Sequence, residues 1–203
     1  MHYLVGSVLD RRLQLVERLT SFASPQSIQE IARALNTSGR TLANDVLVIN
    51  RTWTPVEITM TGDLLSIAYR PGFNLRDVYR MILKREPIFR LLRALILHPE
   101  TPTSELTKWA TMSEASLYRN IKIFNTSFFP QFGISIASSP FRLEGERTHV
   151  LLFSSFFLCK QTHIDDWPFM DYPRHEVEEF LSRILDSVHM AIHFSEFRMP
   201  SSA

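Results

Sequence analysis

Cysteine is nearly absent: Cys159 stands alone in 203 residues, so no disulfide can close within the chain. A reducing cytoplasmic setting is the economical expectation, and a lone thiol ordinarily behaves as a small hydrophobe. Long apolar runs are missing too. The longest, VLLFSSFFLC at 150–159, falls well short of the ~20 residues that span a bilayer. The N-terminus, MHYLVGSVLDRRLQLVERL, has no positive start and meets Asp10, Arg11 and Arg12 after a few apolar residues. That pattern fits neither a signal peptide nor a membrane helix, and no membrane partner is expected. Also lacking are a glycine-rich phosphate loop, a nucleophile motif and a carboxylate pair in a recognisable frame. Neither an enzyme nor a cofactor is therefore expected.

Net charge is sparse at +1, yet unevenly spread. Residues 1–86 carry 11 Lys/Arg against 8 Asp/Glu, residues 87–160 carry 8 against 5, and residues 161–203 carry 3 against 8. The parts are thus +3, +3 and −5. Two mildly basic units ahead of an acidic tail suit a polyanion bound by the front of the chain. The 45% hydrophobic content is that of ordinary globular cores.

What the chain does have is a repeat. Sliding it against itself by 75 residues pairs Glu30 with Glu105, Ile31 with Leu106 and Ser38 with Ser113. The same shift pairs Leu42 with Leu117, Val46 with Ile121 and Asn50 with Asn125. LQLVERLTSF at 13–22 falls on IFRLLRALIL at 88–97, and both read as helices by their apolar spacing. In the first unit Ser27 and Glu30 spell a capping box for a helix with Ile28, Ile31 and Leu35 inward. Ala32 is small enough for a helix crossing. Asn36, Thr37 and Ser38 break that helix, and Ser38 is suited to cap the next. In the second unit Thr101 and Pro102 are the expected N-cap and first-turn proline, Thr107 replaces Ala32, and Ser113 caps the following helix.

After each helix pair the period changes to that of strands. VEITM and LLSIAY at 56–60 and 64–69 flank Thr61, Gly62 and Asp63, the pattern of a hairpin. GISIA and FRLEG at 133–137 and 141–145 flank Ser138, Ser139 and Pro140. Residues 74–85 read as a connecting helix and 147–160 as a helix with a packed apolar face. The fold class expected is mainly α with small β-hairpin wings: tandem winged helix-turn-helix domains followed by the start of an all-α regulatory domain. The boundaries are 1–73, the connector 74–85, 86–160, and an acidic helical tail at 161–203.

These residues carry a family resemblance over most of 8–198. SIQEIARALNTSGRTLANDVLVIN resembles the DeoR-type helix-turn-helix. TSELTKWATMSEASLYRNIKIFN, with the later GISI, LEGERTHVLLF and DDWPF stretches, is similar to regulators of the Mga and AtxA type. The resemblance implies a bacterial transcription regulator, mostly an activator, whose DNA-binding half precedes phosphotransfer-regulated helical domains. Its implied partners are double-stranded DNA, a homo-oligomer, and phosphotransfer-system proteins acting through regulatory domains. HEVEEFLSRILDSVHMAIHFSEF at 175–197 resembles the start of the first such domain, so a fragment or truncated relative is expected.

Recognition helices lie in the major groove with their N-terminal, outward residues at base edges and phosphates. In the first unit these are Ser38, Gly39, Arg40, Ala43 and Asn44, with Arg40 suited to guanine and Asn44 to adenine. DeoR-type relatives usually carry basic residues where Ala43 and Asn44 stand, which weakens the first reading head. In the second unit the face is Ser113, Glu114, Ala115, Tyr118, Arg119 and Lys122, with Thr103, Ser104 and Lys108 near phosphates. Arg119 and Lys122 stand where the first unit has Asn44 and Leu47, so the second is expected to bind more tightly. Arg142, beside the second wing, is placed to reach a phosphate or to pair with Glu144.

His189 and His193 are spaced i, i+4 on an expected helix, with His163 and His175 nearby. No acidic or cysteine ligand completes a metal signature, so no metal is expected. The resemblance makes His189 and His193 candidate phosphorylation sites; exposed helix histidines are the plain alternative. Trp167 and Phe169 are expected to anchor the tail. Besides a regulator, two readings stay open: a plasmid replication initiator with paired winged helices, and a winged-helix scaffold that binds protein only.

Overall fold

The structure, a computed structural model, describes residues 2–162, 167–169 and 172–187. Helix α1 (Ser7–Ser21) buries Leu13, Val16 and Leu19, which recur at helical spacing, together with Leu15. A two-residue strand, β1 (Gln26–Ser27), leads into α2 (Ile28–Ala34), which buries Ile28, Ile31 and Ala32. Helix α3 (Gly39–Thr52) turns Leu42, Val46 and Ile49 onto the same core. The first wing is β2 (Val56–Thr61) paired antiparallel with β3 (Leu64–Tyr69), register Ile58 to Ile67. Gly62 closes its turn at φ 61°, a conformation glycine adopts without penalty. β1 adds to the far edge of β3, for a sheet order β1-β3-β2.

Helix α4 (Leu75–Arg85) follows, then α5 (Pro87–Leu97), α6 (Thr103–Ala110) and α7 (Glu114–Phe132). The second wing is β4 (Ser135–Ser138) with β5 (Phe141–Glu144), and α8 (Arg147–Gln161) and α9 (Arg174–Ser187) complete the described elements. The expected class, mainly α with small hairpin wings, is borne out. Buried residues of both halves join one apolar cluster, in which Phe89, Leu91, Leu92 and Leu95 of α5 are almost wholly enclosed.

Several local expectations need correction. Ser27 does cap α2 by accepting the Gln29 N–H, but no box forms with Glu30. The Ser27 hydroxyl also donates to Asp63 at the wing tip at 2.9 Å. The complete capping box lies at α4, between Asn74 and Asp77. Thr101 does not cap α6, because its hydroxyl turns back to the His98 carbonyl at 2.8 Å and Pro102 takes the cap position. The strands of the second wing are shorter than expected, since Gly133 at φ 64° ends α7 and Ile134 is spent entering the core.

Polar contacts tie the halves together beneath this core. A short 3-10 helix (His2–Leu4) seats Leu4 in the core and packs on α7. His2 bonds Asp10 and Glu17 of α1, and Tyr79 of α4 donates to Glu17. Burial, reinforced by the Glu17 carboxylate, holds the Tyr79 hydroxyl far above the usual phenol range. The buried Gln161 donates to the Leu83 carbonyl and accepts from Arg93, which fixes the end of α8 on α4 and α5.

Candidate nucleic-acid interface

The two helix-turn-helix units share their geometry down to single hydrogen bonds. Asn36 and Thr111, 75 positions apart in the repeat, both take the left-handed conformation (φ 48° and 53°) between their helices. The next amide then returns to the preceding helix: Thr37 to the Ala32 carbonyl at 2.9 Å, Met112 to the Thr107 carbonyl at 3.0 Å. Ser38 accepts the Thr41 N–H at 3.1 Å, and Ser113 accepts the Ser116 N–H at 3.3 Å. Each cap starts its helix at one defined angle to the helix before it.

The wing is fixed to its helix by the last pair in the repeat. The Asn50 side chain donates to the Ile58 carbonyl and accepts the Ile58 N–H, both at 2.8 Å. Asn125 does the same to Ile136, at 3.0 and 2.7 Å. An amide side chain matches a peptide group in both donor and acceptor, so each asparagine stands in for a neighbouring strand. This is why the repeat keeps asparagine at 50 and 125: it is a structural clamp, and spacing alone did not distinguish that use from base contact.

On α3, Ser38, Arg40 and Asn44 are exposed, Gly39 and Ala43 are partly covered, and Leu47 lies open at 54% exposure. The Gln29 side chain lies over Gly39, 3.1 Å from where a Cβ would stand, so a larger residue there must displace it. On α7, Ser113, Glu114, Ala115, Tyr118, Arg119 and Lys122 all lie on the exposed side. Ser104 and Lys108 of α6 are exposed, and Thr103 is half-buried. The Tyr118 ring sits 6.1 Å from Phe141 of β5, which brings the helix face and the wing side by side. Arg142 is engaged rather than free: it bonds Glu144 at 2.7 Å and lies 3.5 Å from Glu100.

Sequence reading missed two features of this surface. Thr41 and Ser116 carry hydroxyls against their cap serines, at 2.8 and 3.1 Å, and the repeated serine-x-x-hydroxyl spacing was the available signal. Asp45 of α3, 2% exposed, accepts Arg11 at 2.7 Å and Arg12 at 2.8 Å. A buried carboxylate inside α3 had no signal in spacing, because its partners lie more than thirty residues away.

Among the described residues no group of three histidine, cysteine or acidic side chains could hold a metal, and no helix is long and apolar enough to cross a membrane. His163, His189 and His193 lie outside the described residues, while His175 is exposed on α9. Trp167 and Phe169 line a cavity of about 870 Å³ together with Arg93, Leu97 and Trp109.

Comparison with known proteins agrees with this geometry. Residues 71–158, from just before α4 into α8, match the Mga helix-turn-helix domain. The chain is 20% identical over 98% of its length to a trans-acting regulator of Streptococcus pneumoniae, aligning with 40% of that protein. It is 21% and 19% identical, over 91% and 94% of its length, to the capsule synthesis positive regulators AcpB and AcpA of Bacillus anthracis. It aligns with 39% and 40% of those two, so the chain spans about 40% of the length of the curated relatives it matches. The relatives bear the names of regulators, not of enzymes. The resemblance to Mga/AtxA-type regulators is thereby borne out.

Proposed function

We propose that this chain, being of the Mga/AtxA type, is the DNA-reading part of a positive transcription regulator acting on double-stranded DNA in the cytoplasm. The observation that carries the reading is the exposed row Tyr118, Arg119 and Lys122 on a serine-capped helix within the segment that matches the Mga domain. Such a row supplies a stacking or backbone-contacting ring and two cations to a major groove. The finer reading is that both heads engage one duplex, α7 as the tighter and α3 as the weaker.

The test is a mobility shift of the full chain at two salt concentrations, on duplexes selected from fragmented bacterial genomic DNA. Phosphate contacts release counterions, so affinity should fall steeply as salt rises. Affinity unchanged by salt would overturn the reading. A footprint confined to one major-groove segment would keep DNA binding and remove simultaneous use of two heads. One observation favours a second reading for the first unit alone: Leu47 of α3, with Met60 and Leu64 at the wing tip, leaves it an apolar outer surface. A protein contact by that unit fits such a surface.

A further inference from the structure

The cavity lined by Trp167 and Phe169 gathers side chains that the candidate DNA-reading faces do not use. Helix α5 supplies Arg90 and Arg93, α6 supplies Trp109, the end of α8 supplies Gln161, and the chain leading into α9 supplies Trp167, Phe169 and Tyr172. None of the described residues that line it is acidic. Its volume of about 870 Å³ lies within the ~300–1,000 Å³ of sites that hold small organic ligands.

Charge enters from one side of α5, where Arg90 and Arg93 stand one turn apart. Among the described residues Arg93 bonds only the neutral Gln161 amide, at 3.0 Å, so no carboxylate offsets its charge there. Arg90 adds a second guanidinium, part of whose field is taken up by Glu86 one turn earlier. The aromatic groups are only partly covered. Trp109 is 42% exposed although its ring sits 4.5 Å from His98, and Phe169, 5.3 Å from Trp167, is 38% exposed. Open indole surface inside a cavity is a platform on which a flat ring stacks, and a guanidinium grips a phosphate through its planar fork. A small aromatic carboxylate would leave most of the volume unfilled, and a sugar phosphate would leave the rings uncovered.

We propose that this cavity binds a nucleoside monophosphate, its base against the tryptophans and its phosphate on Arg93 and Arg90. The bound nucleotide joins α5 and α6 of the second helix-turn-helix unit to the chain that leads into α9, so its occupancy is felt on both sides. The proposal stands on α5, α6 and residues 167–172 and is independent of DNA binding.

Calorimetric titration of the full chain with adenosine, guanosine, cytidine and uridine monophosphates tests it. At least one should bind, and the matching nucleoside and ribose phosphate should each bind at least about tenfold more weakly, since each lacks one of the two contacts. Arg93→Gln should weaken the nucleotide by about tenfold, and Trp167→Leu by a comparable factor. Arg119→Ala with Lys122→Ala should leave it unchanged, because those residues lie on α7 outside the cavity. Circular dichroism checks that each variant is folded. Trp167 is not part of the buried core, so Trp167→Leu decides if Arg93→Gln does not fold. Binding of none of the four nucleotides, equal binding of the nucleoside or of ribose phosphate, or binding lost in the α7 variant and kept in Trp167→Leu overturns the proposal.

Discussion

Position 45 in the first helix-turn-helix unit is a buried aspartate forked by Arg11 and Arg12. Its counterpart in the second unit is Asn120, which bonds the Ser116 carbonyl of its own helix at 2.7 Å. The repeat places Glu86 and Pro87 where the two arginines would be, and burial, opposed by Arg90, pushes the Glu86 carboxyl above its ordinary range. Helix α3 is thus locked to α1 by charge. Helix α7 is held by aromatic packing instead, with Phe124 and Phe128 stacked on each other and edge-on to Phe153. The outer faces differ the other way: the helix fixed by charge inside shows Asn44 and Leu47 outside, and the helix packed by phenylalanine shows Arg119 and Lys122. One backbone plan therefore tolerates opposite assignments of charge, because caps and asparagine clamps fix the geometry without them.

The sharpest way to break this comparison is Asp45→Ala. It leaves two arginines without their buried acceptor, and we expect a loss of about 3 kcal/mol in chemical denaturation, near the low end for breaking a buried pair because each arginine is 23% exposed. Asn120→Ala should cost less than about 1 kcal/mol, as expected for one local bond. Equal losses would erase the distinction between a charge-locked and a packed helix.

The clamps should behave alike in both units. Asn50→Ala and Asn125→Ala each strand one strand N–H and one carbonyl, at a cost of about 1–3 kcal/mol. Hydrogen exchange should show lost protection at the Ile58 amide in one variant and the Ile136 amide in the other. A clamp variant that exchanges as slowly as the parent would show that the strand is held by its hairpin alone.

The outer faces are ranked by DNA titration. Arg119→Ala with Lys122→Ala should reduce the salt slope by about 2 and weaken binding roughly tenfold, across all sequences. Arg40→Ala with Asn44→Ala should reduce the slope by about 1 and relax preference at individual bases. The reverse order, with both variants folded by circular dichroism, would hand the leading role to the first head.

The smallest effect concerns pH at the entrance to α8. Glu146 accepts the Thr148 and His149 N–H groups, and these bonds hold its carboxyl below the ordinary range. A folded value below the unfolded one means this stabilisation is present above the ordinary glutamate range. It disappears as pH falls through the lowered folded value. Glu146→Gln should flatten the acid limb of the thermal midpoint slightly. An unchanged limb would show that the exposed cap contributes nothing measurable.

Most of the architecture was legible from periodicity, because helices that bury one face must repeat apolar residues at their own spacing. α4, both wings and α8 fall within a few residues of where pattern and turn residues put them. The caps were less legible. Ser27 has a glutamate three residues on, yet no box forms, and its hydroxyl donates to Asp63 on a wing more than thirty residues away. The candidate interface was legible as a list of outward positions, since the caps of α3 and α7 set which residues point out. Whether a cation at such a position is available was not: Arg142 is occupied by Glu144 and Glu100, the latter more than forty residues earlier.

The sequence by itself determined the repeat, the helix and strand periods, the charge division among front and tail, and the resemblance to Mga-type regulators. All are properties of residues near one another along the chain or of its summed composition. Only the tertiary structure decided that Asn50 and Asn125 are clamps, that Asp45 is a buried ion-pair acceptor, and that Arg93 and Trp109 line one cavity. Each depends on which distant group supplies the complementary donor, acceptor or apolar surface, and that partner is chosen by packing rather than by position in the sequence.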